Sequence, residues 1–328
     1  FYELFGQAAD LRRGIAEMMK IFSWVTKDTT IDFMGARKLT YVLSIGMFVL
    51  AIACIAFKGF NYGIDFSGGI LIELKAEDKI NVEEMRNRLD HIDLDDVNIQ
   101  TIGEIGDEVM IRAQAKGLDE KEQMAAVNEI KSTLGADYEY RKVELVGPQV
   151  GDELKKDGII ASVIAILAIT AYIWVRFEWQ FALGACLGLI HDIVITVGLL
   201  SLFDMDFSLT TVAAILTLAG YSVNDTVVTY DRIRENLRKY KKMPQYDLLN
   251  KSINDIFSRT ILTGLTTLLA STALLIWGGD VLRSFSFTLV WGIIIGTYSS
   301  IYVSAVFLNF FDLRKQPDEK VLNPFGNI

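Results

Sequence analysis

The stretch Ser208 to Asn236, SLTTVAAILTLAGYSVNDTVVTYDRIREN, is apolar for long enough to cross a bilayer and yet holds Asn224 and Asp225 before its apolar character ends. A span takes about 20 mostly apolar residues, and a carboxylate inside one costs roughly 2.5–3.5 kcal/mol on the insertion scale. Within Leu209–Tyr230, Asp225 lies about five residues, or roughly 8 Å, from the last apolar position. An aspartate side chain is short for that distance. One reading has the carboxylate snorkel into the headgroups; the other, favoured by its depth, makes it a functional group with a partner inside a helical bundle.

The rest of the chain agrees with a polytopic membrane protein. Of 328 residues 51% are hydrophobic and only four are proline, too apolar for one ordinary soluble domain. Six spans are expected: Leu39–Phe57, Ile159–Val175, Phe181–Phe203, Leu209–Tyr230, Thr260–Trp277 and Phe285–Phe311. Residues 1–38 hold an amphipathic segment around Ala8–Trp24, expected to lie along the membrane surface, and 312–328 form a tail. Arg12, Arg13, Lys20 and Lys27 interrupt any apolar core there, so a signal peptide is not expected; with Phe1 first, the chain reads as trimmed or as a segment of something longer.

Basic residues concentrate before the first span and between Asp231 and Arg259, whereas Leu202–Leu209 has Asp204 and Asp206 and no base. By the positive-inside rule both termini are cytoplasmic and the insert at 58–157 lies outside. That insert carries 13 Lys and Arg against 23 Asp and Glu out of a net charge of −9 for the chain, an acidic balance that argues against nucleic acid as a partner. Cys54 and Cys186 fall in apolar spans and give no disulfide or metal signal.

Within the insert, Gly69–Ala76 alternates with period two, Val82–Ile92 is helical, Val97–Glu104 and Glu108–Ala113 are strands, Leu118–Leu134 is helical and Tyr138–Val146 is a strand. The order βαββαβ is that of a ferredoxin-like α+β domain, a fold that hosts many functions. Two linkers bracket it, one with Asp65, Gly68 and Gly69 and the other with Gly147 and Pro148, read as turns or hinges with Asp65 as a cap.

Ionisable and polar groups inside the spans form the candidate coupling set: Asp225 and Asn224 in the fourth, His191 and Asp192 in the third, and Arg259 at the opening of the fifth. Asp225 and Arg259 fall at similar depth and are natural partners. A carboxylate held by a guanidinium keeps its charge, and one left alone in hydrocarbon takes up a proton, so a helix shift that parts such a pair is a coupling device; a permanent pair that sets helix register is the alternative. His191 and Asp192 stand about 100° apart on their helix, so they do not share one partner, and Asp192 is expected to face the bundle. Gly184 with Gly188, and Gly292 with Gly296, form GxxxG packing faces, either internal or toward another subunit. Gly220-Tyr221-Ser222 matches the short pattern of intramembrane serine proteases with His191 as an imagined base, a weak match. No catalytic residue and no metal site are assigned.

GIDFSGG opening the insert, VGPQVGDELKKDG closing it, HDIV, GYSVNDTVVTYDRIREN and SRTILTGLTT together resemble the SecF family, six-span subunits of the SecDF protein-export factor in the RND superfamily, from about residue 30 onward. The resemblance implies a non-enzymatic accessory of the bacterial inner membrane. With SecD it would use the proton motive force to help unfolded secretory proteins leave the SecYEG channel, with YajC as a further associate. Membrane lipids surround it, protons are the coupling ion, and no other cofactor is implied. By the same resemblance Asp225 and Arg259 match the charged residues of the proton pathway. The resemblance fits both a separate SecF and the second half of a fused SecDF. An RND-type exporter of lipids or small molecules, and a passive translocase scaffold, are the alternatives.

Overall fold

The computed structural model describes residues 29–92, 94–102, 106–115, 120–135, 138–279 and 282–314; the amphipathic segment expected around Ala8–Trp24 lies outside them. Among the described residues six helices are long and apolar enough to cross a membrane. In chain order the helices are α1 (Arg37–Lys58), the short α2 (Ile64–Ser67), α3 (Val82–Leu89), α4 (Glu120–Leu134), α5 (Pro148–Arg176), α6 (Trp179–Leu202), α7 (Leu209–Lys239), α8 (Gln245–Trp277) and α9 (Arg283–Ser299). After α9 the last span continues as a π-helical turn, Ser300–Ala305, and a 3-10 turn, Leu308–Phe310. The strands are β1 (Asn61–Tyr62), β2 (Gly69–Lys75), β3 (Leu94–Ile102), β4 (Glu108–Ala115), β5 (Glu139–Val146) and β6 (Asp206–Phe207).

The insert has the expected βαββαβ order. Its four strands lie β3-β4-β2-β5, every pair antiparallel. Alternation explains the sheet: Ile70, Ile72, Leu74, Val109 and Ile111 point to one face and are buried against Met85 and Leu89 of α3 and Val127, Ile130 and Leu134 of α4. Asn81 caps α3 by accepting from the Glu83 and Glu84 amides at 3.1 and 3.3 Å.

Both linkers of the insert meet at one place. Gly68 has φ 69° and ψ 177°, a region open essentially to glycine, and a Cβ on it would lie 2.9 Å from Pro148 Cα. Pro148 stands at the start of α5, where its missing N–H is not needed, and Gly147 precedes it as the N-cap.

The membrane bundle buries its third, fourth and sixth spans; α5 is the most peripheral, with only 6% of its apolar window buried. The GxxxG glycines pack inside the chain: Gly184 and Gly188 against Ser304, Gly292 against Leu218, and Gly296 against Ser222. Residues preceding α1 are pinned to α8, where Asn250 Oδ1 accepts the Phe33 amide at 2.8 Å and Asn254 Oδ1 accepts the Ile31 amide at 2.9 Å.

Two outcomes test this fold. Gly68→Ala is expected to destabilise the junction by about 1–3 kcal/mol from backbone strain alone, read as faster proteolysis at the linkers. In the insert, Lys75 bonds Asp107 and Glu108 at 3.1 and 2.9 Å, and chiefly its hydrogen bond holds the Asp107 carboxyl below its ordinary value of 3.8. A lowered carboxylate pKa contributes stability above the unfolded value and loses it as pH falls through the folded one. The stability gap between wild type and Lys75→Met, measured by hydrogen exchange of β2, should therefore shrink below pH 3.8.

Candidate functional site

Between Thr211 and Thr229 the buried positions of α7 are Thr211, Ala214, Ile215, Leu218, Ala219, Ser222, Val223, Asp225, Thr226 and Thr229, a helical stripe rich in small and polar groups. Small side chains let α9 approach: a Cβ on Gly296 would lie 3.3 Å from Ser222 Cβ and 3.6 Å from Asp192 Oδ2. The contact brings together a polar knot. Asp192, fully buried, accepts from Ser222 Oγ at 2.5 Å and Ser299 Oγ at 2.7 Å through Oδ2, and its Oδ1 lies 3.0 Å from His191 Nδ1. Asp192 thus faces the bundle as expected. His191 takes no part in the bonds from Ser222 and Ser299, so the two residues share no third partner; rotation about their side-chain bonds bridges the roughly 100° between their Cα positions and lets them bond each other.

The knot extends toward α1. The His191 ring lies 6.3 Å from that of Tyr298, whose hydroxyl donates to Thr40 O at 2.9 Å and lies 2.8 Å from Ser44 Oγ. Tyr230, fully buried, donates to the carbonyl of Ser304 at 3.2 Å, within the π-helical turn. Ser222 is engaged with Asp192, so the Gly220-Tyr221-Ser222 match lacks the Ser–His contact that a serine nucleophile needs.

Asp225 is different. It is 4% exposed, and its Oδ2 has no hydrogen-bond partner among the described residues. The expected contact with Arg259 is not made: no ion pair within 4.0 Å joins them, although the guanidinium charge still acts on the carboxylate through space. The reason is rotational. Ser252, Ile253, Ile256, Thr260 and Gly264 form the buried stripe of α8, and Arg259, one position before Thr260, is turned about 100° from it to the exposed side. Thr263 and Thr267 donate to carbonyls of their own helix, Arg259 O and Thr263 O, at 2.9 and 3.0 Å. Asn224 is exposed, on the face of α7 away from the bundle. Among the described residues no group of three His, Cys, Asp or Glu converges as a metal site would.

The insert is tied to the site's helix. Asp65 Oδ2 accepts the Leu209 amide at 3.0 Å, capping α7 together with Ser208, and β1 pairs with β6 in parallel just before that helix. Arg112 of β4 makes an ion pair with Asp206, and Asn61 donates to Asp206 Oδ1 at 3.0 Å.

Sequence reasoning missed Ser222 as an Asp192 ligand, Ser299, Tyr298 and Arg112. Three serines at 299, 300 and 304 in an apolar span were a signal that the last helix serves a polar group.

Among the described residues, six helices long and apolar enough to cross a membrane, with one carboxylate fully bonded and another with a partnerless oxygen buried between them, define a multi-pass membrane protein with ionisable groups inside its bundle. Residues 126–314 match the family model "Protein export membrane protein SecD/SecF, C-terminal", and 55–80 match "SecD/SecF GG Motif". The protein translocase subunit SecF of Rickettsia rickettsii is 46% identical over 288 residues, covering 87% of this chain and 92% of the relative; that of Cereibacter sphaeroides is 41% identical over 311 residues, covering 92% and 96%. The crystal structure of SecDF from Thermus, a translocon-associated membrane protein, superposes with TM-score 0.78 at 35% identity, over 86% of this chain and 39% of that one. SecDF in a super-membrane-facing form gives 0.63 at 35% identity, over 87% and 39%. The chain belongs to the SecF family of protein translocase subunits, and it spans about two-fifths of the SecDF chains it resembles.

Removing one donor to the buried Asp192 carboxylate is expected to cost about 1.5–3 kcal/mol. Ser299→Ala should accordingly lower the unfolding temperature of the purified protein, and Thr217→Ala, whose hydroxyl bonds its own helix, should not.

Proposed function

We propose that the chain works with a SecD partner in the bacterial inner membrane, where it uses the proton motive force to assist emergence and release of secreted proteins from SecYEG, with YajC as a further associate. It is not an enzyme, protons are its coupling ion, and both termini lie in the cytoplasm with the sheet domain outside. The basic loop between Asp231 and Arg259 supports that orientation.

The observation that carries this reading is the Asp225 carboxylate, buried in a membrane helix with an unpartnered oxygen and with Arg259 near but unbonded. Such a group is costly to keep unless it exchanges partners or protons. A proton arriving at Asp225 cancels its attraction for Arg259, and closing or opening that contact moves α8 against α7. Because Asp65 caps α7 and Arg112 grips Asp206, movement of α7 reaches the sheet domain. One proton crossing about 150 mV supplies roughly 3.5 kcal/mol, against about 5.5 kcal/mol to move a two-state equilibrium from 1:99 to 99:1. A single proton biases the domain without switching it fully.

The alternatives have less support. An opening of about 1020 Å³ in the insert is lined by charged groups, among them Lys75, Asp78, Lys79, Glu84 and Arg88, which suits an apolar cargo poorly. A passive scaffold has no use for a buried carboxylate oxygen left without a hydrogen-bond partner among the described residues.

Asp225→Asn and Arg259→Met should each leave assembly with SecD intact and abolish gradient-driven stimulation of export into inverted vesicles. Stimulation at the wild-type level in both would sink the coupling reading, and loss of assembly would make the pair structural.

A further inference from the structure

At the end of the bundle away from the sheet domain, Phe177 in the turn between α5 and α6 is 4% exposed and has a guanidinium on its ring from each of two elements. Arg176 Cζ lies 5.1 Å from its centroid and Arg234 Cζ 5.3 Å. Further contacts hold the pair together: Arg176 with Asp231 at 3.3 Å, Arg234 with Glu178 at 3.6 Å, and Arg234 Nη1 donating to Arg176 O at 3.4 Å. Two guanidinium groups are thus held around one ring, each also paired with a carboxylate.

These residues open onto a cavity of about 450 Å³ lined by Arg176, Asp231, Arg234, Glu235, Arg238 and Lys239. Four cations face two carboxylates there, and Glu235 is already engaged by Arg232 at 2.7 Å. Arg238 is exposed and has no ion-pair partner among the described residues. With Arg176 paired to Asp231 and Arg234 to Glu178, the unspent positive charge of the cavity is that of Arg238 and Lys239, neither of which has an ion-pair partner among the described residues. Beside it the last turn of α5 exposes Trp174 (67%) and Val175 (90%), and Trp179 is 54% exposed at the start of α6, the aromatic signature of a membrane–water boundary.

We propose that this cavity binds the phosphate of an anionic phospholipid, with an acyl chain lying along the exposed face of α5. Guanidinium pairs match phosphate oxygens in a fork geometry that a neutral or zwitterionic headgroup does not reward equally. Basic pockets between membrane helices hold such headgroups in the same way. The site is separate from Asp225 and does not depend on proton coupling.

The test is native mass spectrometry of the full chain in detergent, titrated with phosphatidylglycerol, with phosphatidylcholine, and with phosphatidylglycerol in the presence of excess inorganic phosphate. Wild type should retain phosphatidylglycerol in preference to phosphatidylcholine. The double variant Arg176→Gln, Arg234→Gln should bind it about 30-fold more weakly, and Arg238→Gln about 5-fold more weakly. Arg238 is exposed and has no ion pair among the described residues, so its variant decides the matter if the double variant fails to fold. Equal retention of phosphatidylcholine, unchanged affinity in Arg238→Gln, or full displacement by inorganic phosphate would overturn the proposal, the last reducing the site to one for an adventitious ion only.

Discussion

Burying the Asp192 carboxylate decides how three of the six spans meet. In hydrocarbon no water is at hand, so every polar group must find its partner within the protein. Asp192 draws Ser222 from α7 and Ser299 from the last span to one oxygen and His191 to the other. That convergence requires the helices to come close, which glycine at 296 permits, and the same approach seats Leu218 on Gly292 and Ser304 on Gly188. Asp225, three residues beyond Ser222 on the same helix, has no such set of donors. The contrast separates a carboxylate spent on architecture from one still available.

Much of the architecture was legible because hydropathy and periodicity report directly on solvent and lipid. The strands and helices of the insert followed from period-two and helical patterns, and all six spans from apolar length. Hydropathy marks the lipid-facing part of a helix and not its hydrogen-bonded extent. Hence α5 begins at Pro148 where the apolar run begins at Ile159, and α8 begins at Gln245 where the run begins at Thr260. The first span, expected at 39–57, differs from α1 by one or two residues.

What stayed hidden was rotational phase and long-range pairing. Depth along the axis placed Arg259 beside Asp225, but one residue of phase turns it to the exposed side. The two-residue pairing of Asn61–Tyr62 with Asp206–Phe207 is too short to leave a pattern, and the chain segments lie more than 140 residues apart. The π-helical turn at Ser300–Ala305 likewise arises from tertiary fit, where Ser304 presses on Gly188 and its carbonyl takes the Tyr230 hydroxyl.

The crossing of the two linkers at Gly68 and Pro148 has a mechanical meaning. Both chain segments that carry the sheet domain pass through a single knuckle at Gly68 and Pro148. The grip of Arg112 on Asp206 adds one further fixed point. Like a latch set beside a hinge, the Arg112 side chain, which also reaches Asn61 at 3.3 Å, fixes how the domain sits over the start of α7.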